Sequence, residues 1–223
     1  MEQRGIKALK LAMKVNGNDF VVHAALLWDE RELILVDTGI TGQTEVIREA
    51  MAAEGFDFDK LTKIIITHQD RDHIGSLPEL VALFEGRLEV IAHEAAVPYL
   101  GGELPLIKSQ AFAPQVKVDT AVSDGVQLPY AGGIRVIYTP GHSPDHIALY
   151  HVPSKTLVTG DSLTANDGVL QPPAANFTPD WETAIRSVTK FQSLDIAAAI
   201  VYHGGVCTDQ LQDRLADIAG SGA

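Results

Sequence analysis

The sequence predicts an α/β fold in a single domain spanning residues 1–223, and three observations lead to this prediction. Short apolar runs alternate along the chain with amphipathic segments, which is the pattern of an α/β fold. Acidic and histidine residues follow directly after several predicted strands, where open α/β sheets place ligand sites because rigid strands hold the loops. The length of 223 residues suits one large domain with a substantial core.

The first half of the chain predicts four strands and two helices. Segment 43–54 has helical periodicity on its apolar side, and Gly55 follows as a stop signal. A second helix is predicted from Leu77, with Ser76 as its cap and Pro78 in its first turn. The strands are apolar runs predicted over residues 20–27, 33–36, 63–67 and 88–92.

The second half repeats this alternation, although the two halves show no close sequence repeat. Asp180 is a predicted cap for a helix whose apolar face extends to Phe191, and a last helix is predicted from Thr208. Segments 163–177 and 98–112 are rich in glycine, proline and apolar residues, and both are predicted to form walls of a pocket. The strands are predicted over residues 134–138, 147–152, 156–158 and 198–202.

Composition narrows the classes of function. The chain has 17 lysine and arginine residues against 29 acidic ones, a formal net charge of −12, which disfavours nucleic acid and anionic membranes as partners. Cys207 is the single cysteine, so no internal disulfide is possible. The N-terminus lacks the apolar block of a signal peptide, and no run approaches the ~20 apolar residues of a membrane helix. We expect a cytoplasmic protein that acts on a small molecule and that can form a homodimer.

The strongest local signal is the motif His68-x-Asp70-x-Asp72-His73, which follows a predicted buried strand. Imidazole and carboxylate groups are the natural ligands of zinc, iron and manganese. A short loop can fold such a run around adjacent cations. Taken alone, the motif could also be a solvated polar loop with two incidental histidines.

Further acidic and histidine residues follow later strands. His142 ends a Thr-Pro-Gly-His turn, Asp161 lies in Thr-Gly-Asp-Ser, and His203 begins His-Gly-Gly. An earlier turn reads Leu35-Val-Asp-Thr-Gly39. These motifs, in this order, resemble those of the metallo-β-lactamase superfamily, and the resemblance spans roughly residues 20–205.

The resemblance implies an αββα four-layer sandwich with a dinuclear metal site at one edge. It implies two divalent ions, zinc first and iron or manganese as alternatives, and a catalytic role for Asp72 in orienting the nucleophile. The implied ligands of the first metal are His68, Asp70 and His142, those of the second are Asp72, His73 and His203, and Asp161 bridges both.

Asp70 departs from the family pattern, which usually has histidine there. A carboxylate adds a negative charge and a harder oxygen ligand, which shifts the preference toward iron or manganese. The related flavodiiron oxygen reductases have glutamate at this position. The alternative is that the Asp70 side chain is too short to reach the metal, which would leave the first site weak.

The implied activity is hydrolysis of a small ester, lactone or thioester, because segments 67–76 and 139–146 resemble the glyoxalase II and lactonase-like branch. Only about twenty residues follow His203, which disfavours the glutathione thioester that glyoxalase II binds with a C-terminal helical domain. The alternatives are an iron-dependent persulfide dioxygenase and a non-catalytic metal-dependent binding or sensor domain.

Several other polar residues are interpreted as structural. Asp37 is predicted to fix the turn behind the site rather than to bind metal. His146 is a candidate for a hydrogen bond to a ligand, since the intervening Ser143-Pro144 argues against a helical ligand pair with His142. The remaining histidines and the cysteine are predicted to have packing roles, and the tyrosines are candidate oxyanion donors: His23, His93, His151, Cys207, Tyr99, Tyr130 and Tyr202.

Overall fold

The computed structural model describes residues 3–15 and 17–220, and its first half forms a mixed six-stranded sheet. Its strands follow one another in chain order. The first three are antiparallel neighbours, and the third to sixth run parallel. Their bounds are β1 Gly5–Val15, β2 Asn18–Trp28, β3 Leu33–Val36, β4 Lys63–Ile66, β5 Glu89–His93 and β6 Thr120–Val122.

The second half forms another six-stranded sheet and a two-stranded hairpin. Its strands are β7 Gln127–Leu128, β8 Ile134–Tyr138, β9 Ile147–His151, β10 Thr156–Val158, β13 Ala198–Val201 and β14 Gly205–Cys207. They lie in the order β14-β13-β10-β9-β8-β7, with β10 and β13 parallel and the other neighbours antiparallel. The hairpin consists of β11 Thr164–Asn166 and β12 Val169–Gln171.

Six α-helices connect or flank the strands in the described part of the chain. They are α1 Thr44–Ala53, α2 Arg71–Ile74, α3 Leu77–Leu83, α4 Val97–Leu100, α5 Trp181–Val188 and α6 Leu211–Gly220. None of these helices, within the described ranges, has the length and apolarity that crossing a bilayer requires.

Period-two alternation along the strands divides the core into layers. Ile34, Val36 and Ile65 belong to the cluster between the sheets, whereas Leu35 and Ile64 belong to the cluster under the helices of the first half. A third cluster joins the second sheet to α5 and α6. The layers are therefore helix, sheet, sheet and helix, and the predicted αββα sandwich is confirmed.

The strand β1 was not predicted, although it pairs with β2 along its whole length. Leu9, Leu11 and Met13 are buried and alternate with exposed side chains, including those of Lys10 and Lys14. Lysine on the solvent side of an edge strand discourages pairing with other chains. These lysines also obscured the apolar alternation, so the strand was not predicted from the sequence.

The predicted helix caps have different outcomes. The Asp180 carboxylate accepts a hydrogen bond from the Thr183 N–H (3.1 Å), so that cap is confirmed. Ser76 precedes α3 but makes no cap hydrogen bond. Its hydroxyl instead donates to the Ile40 carbonyl (2.6 Å) and accepts from the Gln43 N–H (2.8 Å), which joins two loops near the site. Ser76 is therefore at the predicted N-cap position of α3, but its side chain does not cap the helix.

Candidate metal centre

The candidate site lies where four strands of the two sheets end. β4 leads into His68, and β8 leads into the turn that carries His142. β10 ends just before Asp161, and β13 just before His203. The site is therefore built on strands from both halves of the chain, as the position of the motifs predicted.

One group of side chains contains His68, Asp70, His142 and Asp161, each with a donor atom within 4.8 Å of the others. Asp70 Oδ2 lies 3.2 Å from His68 Nε2 and 3.0 Å from His142 Nε2. The Asp70 side chain is therefore long enough to join this group. We call it the first group.

A second group contains Asp72, His73 and His203. His203 Nε2 lies 3.2 Å from Asp72 Oδ2, and His73 Nε2 lies 3.9 Å from the same oxygen. Asp161 connects the groups. Its Oδ1 is 3.3 Å from His73 Nε2, while its Oδ2 is 3.3 Å from His142 Nε2 and 3.4 Å from His203 Nε2. The structure thus brings all seven predicted site residues together, with Asp161 in the first group and close to both histidines of the second.

The site residues fit divalent cations. His68 Nε2, His73 Nε2 and Asp161 Oδ1 are buried without a hydrogen-bond partner. Leaving such atoms unsatisfied costs roughly 1–3 kcal/mol each, and a cation between them would remove this cost. The mixture of imidazole and carboxylate donors suits zinc, iron and manganese.

Asp37 supports the second group from behind. One of its oxygens accepts a hydrogen bond from the Thr67 N–H (2.8 Å), and the other accepts from the Thr67 hydroxyl (2.7 Å) and from His73 Nδ1 (2.8 Å). This bond places the His73 proton on Nδ1 and leaves the Nε2 lone pair directed at the group. Asp37 is confirmed as a structural residue, and it also sets the tautomer of His73.

His146 supports Asp161 and belongs to neither group. Burial lowers the pKa of this histidine well below its ordinary value, so the ring is neutral. Its Nε2 accepts the Asp161 N–H (2.9 Å), and its Nδ1–H donates to the Thr139 hydroxyl (2.7 Å). Gly160 allows this approach, because it has φ +51° and a Cβ there would lie 2.6 Å from His146 Nε2.

A cavity of about 390 Å³ opens onto both groups. Its apolar walls include Phe20, Ala174 and Phe177, and Lys108 is the one lysine or arginine among its lining residues in the described part of the chain. Segment 163–177 contributes part of the lining, as predicted, and segment 98–112 contributes Lys108.

Comparison with known proteins identifies the family. A family model described as the metallo-beta-lactamase superfamily matches residues 17–203. The chain belongs to the metallo-β-lactamase superfamily. The family and the clustered donors together support a metal-dependent hydrolase.

Individual relatives of this superfamily agree with that assignment. The chain is 32% identical to the probable metallo-hydrolase YflN of Bacillus subtilis, over 79% of this chain and 76% of YflN. It is 26% identical to an atrochrysone carboxyl ACP thioesterase of Aspergillus fumigatus, over 81% of this chain and 50% of the thioesterase. A metallo-β-lactamase family protein from Thermus thermophilus has the same fold, with a TM-score of 0.71, 23% identity and coverage of 97% of this chain and 79% of that one.

The other histidines and the tyrosines named in the sequence analysis lie outside both groups of this metallo-β-lactamase-type site. His93 stacks on the Tyr138 ring at 4.2 Å, and His151 bonds to the Ala131 carbonyl (2.8 Å). Tyr202 stacks on His73 at 3.8 Å, and its hydroxyl donates to the Asp72 carbonyl, which supports the metal loop. None of the three candidate tyrosines is among the described residues that line the cavity.

Sequence reasoning missed two residues of the site, Gln69 and Lys108. The Lys108 ammonium contacts Asp70 Oδ2 and His142 Nε2. Gln69 lies inside the metal-binding motif, but its side chain is directed away from both groups toward Asp145. The sequence indicated Lys108 only as a lysine within the predicted pocket wall 98–112. Its distance along the chain from the metal-binding motif does not predict a contact with that motif.

Electrostatic interactions between the two groups are strong. Burial would lower the pKa of His73, but the charges of Asp161, Asp37 and Asp72 outweigh burial and raise it well above the ordinary value. Burial would likewise lower the pKa of His203, but hydrogen bonds to Asp161 and Asp72 raise it to about 9. Both rings are therefore protonated at neutral pH in the metal-free site.

This charge state predicts that metal affinity rises with pH. A cation must displace the protons of His73 and His203, so apparent affinity should increase up to about tenfold per pH unit for each proton released, between about pH 6 and pH 8. Zinc titrations against a competing chelator at several pH values measure the apparent affinity. Calorimetric titrations in buffers of different ionisation enthalpy measure the number of protons released. His203→Asn should lower the pH slope, whereas an affinity independent of pH would contradict this prediction.

Proposed function

We propose that this chain is a dinuclear metallohydrolase that cleaves a small ester, lactone or thioester. Asp161 carries the proposal, because its two oxygens face histidines of both groups at 3.3–3.4 Å. A carboxylate in that place can bridge two cations. The proposed ligands are His68, Asp70 and His142 for the first metal, Asp72, His73 and His203 for the second, and Asp161 for both.

When bound, the two cations would supply an activated water near neutral pH and a Lewis acid for the substrate oxygen. The surrounding residues perform the remaining tasks. Asp72 lines the cavity beside His203, so its carboxylate is positioned to orient the nucleophile and to hold a proton. Asp37 keeps His73 in the tautomer that the site requires. Phe20 and Phe177 give the cavity an apolar wall against which a substrate can pack.

The cavity supports the proposed substrate class. A volume of about 390 Å³ suits a small molecule, and the apolar wall offers contact to an acyl or alkyl group. The net charge of −12 disfavours polyanionic substrates. The likeness to an acyl carrier protein thioesterase supports the thioester member of the class.

Zinc is the element that we propose for both metal positions, because four of the seven proposed ligands are imidazoles. The Asp70 carboxylate favours iron or manganese more than a histidine would, so these metals are the alternatives.

The test is a hydrolysis screen with metal-depleted and reloaded protein. We expect the depleted protein to lose at least about a hundredfold in rate on its best lactone, ester or aryl thioester, because the activated water is lost. Added zinc, iron or manganese should restore the rate at about two equivalents, as measured by elemental analysis. Asp195→Asn, an exposed carboxylate outside both groups, is the matched control and should behave like the parent protein.

Other results would point to the alternative functions. One equivalent of iron together with oxygen uptake on a persulfide would replace the hydrolase with a dioxygenase. Tight metal binding without turnover of any substrate would indicate a binding or sensor domain. Absence of metal binding would contradict the proposal altogether.

A further inference from the structure

Lys108 is the one lysine that contacts the candidate metal ligands within the described residues. Its ammonium contacts Asp70 Oδ2 and also His142 Nε2. These atoms are two of the donor atoms of the first group. The lysine therefore places a positive charge against the same donors that a cation would use.

Buried hydrogen bonds hold Lys108 in this place. The preceding residue, Ile107, donates its N–H to Gln69 Oε1 (2.7 Å). The amide group of Gln69, which is fully buried, donates in turn to Asp145 Oδ1 (3.0 Å). The Ser143 hydroxyl donates to the same Asp145 oxygen (2.7 Å). The loop that carries Lys108 is thus fastened to the two loops that carry Asp70 and His142.

No ion pair joins a lysine or arginine to the second group in the described part of the chain. The ion pairs of Asp72 there are with His73 and His203, which belong to the group itself. The first group therefore has a cation from outside the group that stays in the cavity when a metal binds, whereas the positive charges of the second group are protons on its own histidines, which a metal releases.

We propose that Lys108 is an internal cation that competes with metal for the first group, so that the second group binds metal first and more tightly. A divalent ion entering the first group must displace the ammonium from Asp70 and His142. It then remains near a positive charge, since Lys108 lines the same cavity. This inference rests on the metal site of the proposed function and adds the order in which that site fills.

The test compares zinc binding to the parent protein, Lys108→Met and Lys155→Met by equilibrium dialysis with elemental analysis. We expect the parent to show two classes of site with dissociation constants at least about tenfold apart. Lys108→Met should tighten the weaker class by about tenfold and change the tighter class by less than about threefold. Lys155 forms an exposed ion pair with Asp195 away from the site, so Lys155→Met should match the parent.

Two further measurements assign the classes and check the fold. His203→Asn should weaken the tighter class, because that class belongs to the second group. Thermal unfolding of metal-free Lys108→Met and of Lys108→Gln should show cooperative transitions, and Lys108→Gln provides the binding data if the methionine variant does not fold.

The possible results separate the two proposals. Zinc classes of equal affinity in the parent, or a weaker class unchanged in both Lys108 variants, would overturn this inference and leave the metallohydrolase intact. Absence of binding of zinc, iron and manganese in the parent would overturn the proposed function and this inference with it.

Discussion

Asp161→Asn is expected to lower the hydrolytic rate by on the order of a thousandfold, because a bound metal contributes several kcal/mol to transition-state stabilisation. Asparagine keeps the shape of the side chain and removes the charge shared by the two groups. One oxygen becomes an NH₂ group, which cannot bind a cation. Elemental analysis should show loss of most of the metal, and kcat/KM on the best substrate of the screen should fall with it.

Controls for Asp161→Asn separate loss of metal from loss of fold. The backbone N–H of Asp161 should keep its bond to His146, so the fold should persist in circular dichroism and thermal unfolding. Asp195→Asn should retain both metal content and activity. If Asp161→Asn kept two equivalents of metal and a rate near that of the parent, the bridging role would be wrong.

Asp37→Asn is expected to weaken metal binding by about 10–100-fold, although Asp37 is not a proposed ligand. The oxygen that accepts from Thr67 Oγ1 and His73 Nδ1 would become an NH₂ donor. His73 would then move its proton to Nε2 and lose the lone pair directed at the second group. Asparagine tolerates the left-handed backbone at this position, φ +64°, so the turn itself should survive.

The Asp37 variant can be read out without an activity assay. Competition with a chelator gives the zinc dissociation constant, and ¹⁵N chemical shifts of the zinc-loaded protein report which ring nitrogen of His73 carries the proton. Asp119→Asn is the matched control, since Asp119 accepts a backbone N–H from Val90 (3.1 Å) and belongs to neither group. An unchanged dissociation constant together with an unchanged tautomer would contradict the role assigned to Asp37.

Much of the fold could be predicted from local pattern. The strand β8 was predicted with its observed bounds, and α1 differs from its prediction by one residue at each end. The strand β1 was missed because the lysines on its exposed face obscured the apolar alternation, and the hairpin of β11 and β12 was predicted only as a loop beside the pocket. The single-domain span, the cytoplasmic location and a homodimer stay predictions.

The sequence by itself determined which residues form the candidate site. Four of the seven donors lie within one six-residue motif, and the other three, His142, Asp161 and His203, each follow a strand. Short-range spacing encodes such features, because a strand end directs the next residues into the edge where loops meet. The order of these motifs along the chain also carried the family resemblance.

Only the tertiary structure decided how the donor side chains are arranged relative to one another. The contact of Asp161 with His73, the bond from Asp37 to His73 and the contact of Lys108 with Asp70 join residues that lie 36 or more positions apart. Such contacts depend on how whole sheets and loops pack, and no local periodicity records them. The charge balance of the site, and hence the proposed order of metal binding, follows from that packing.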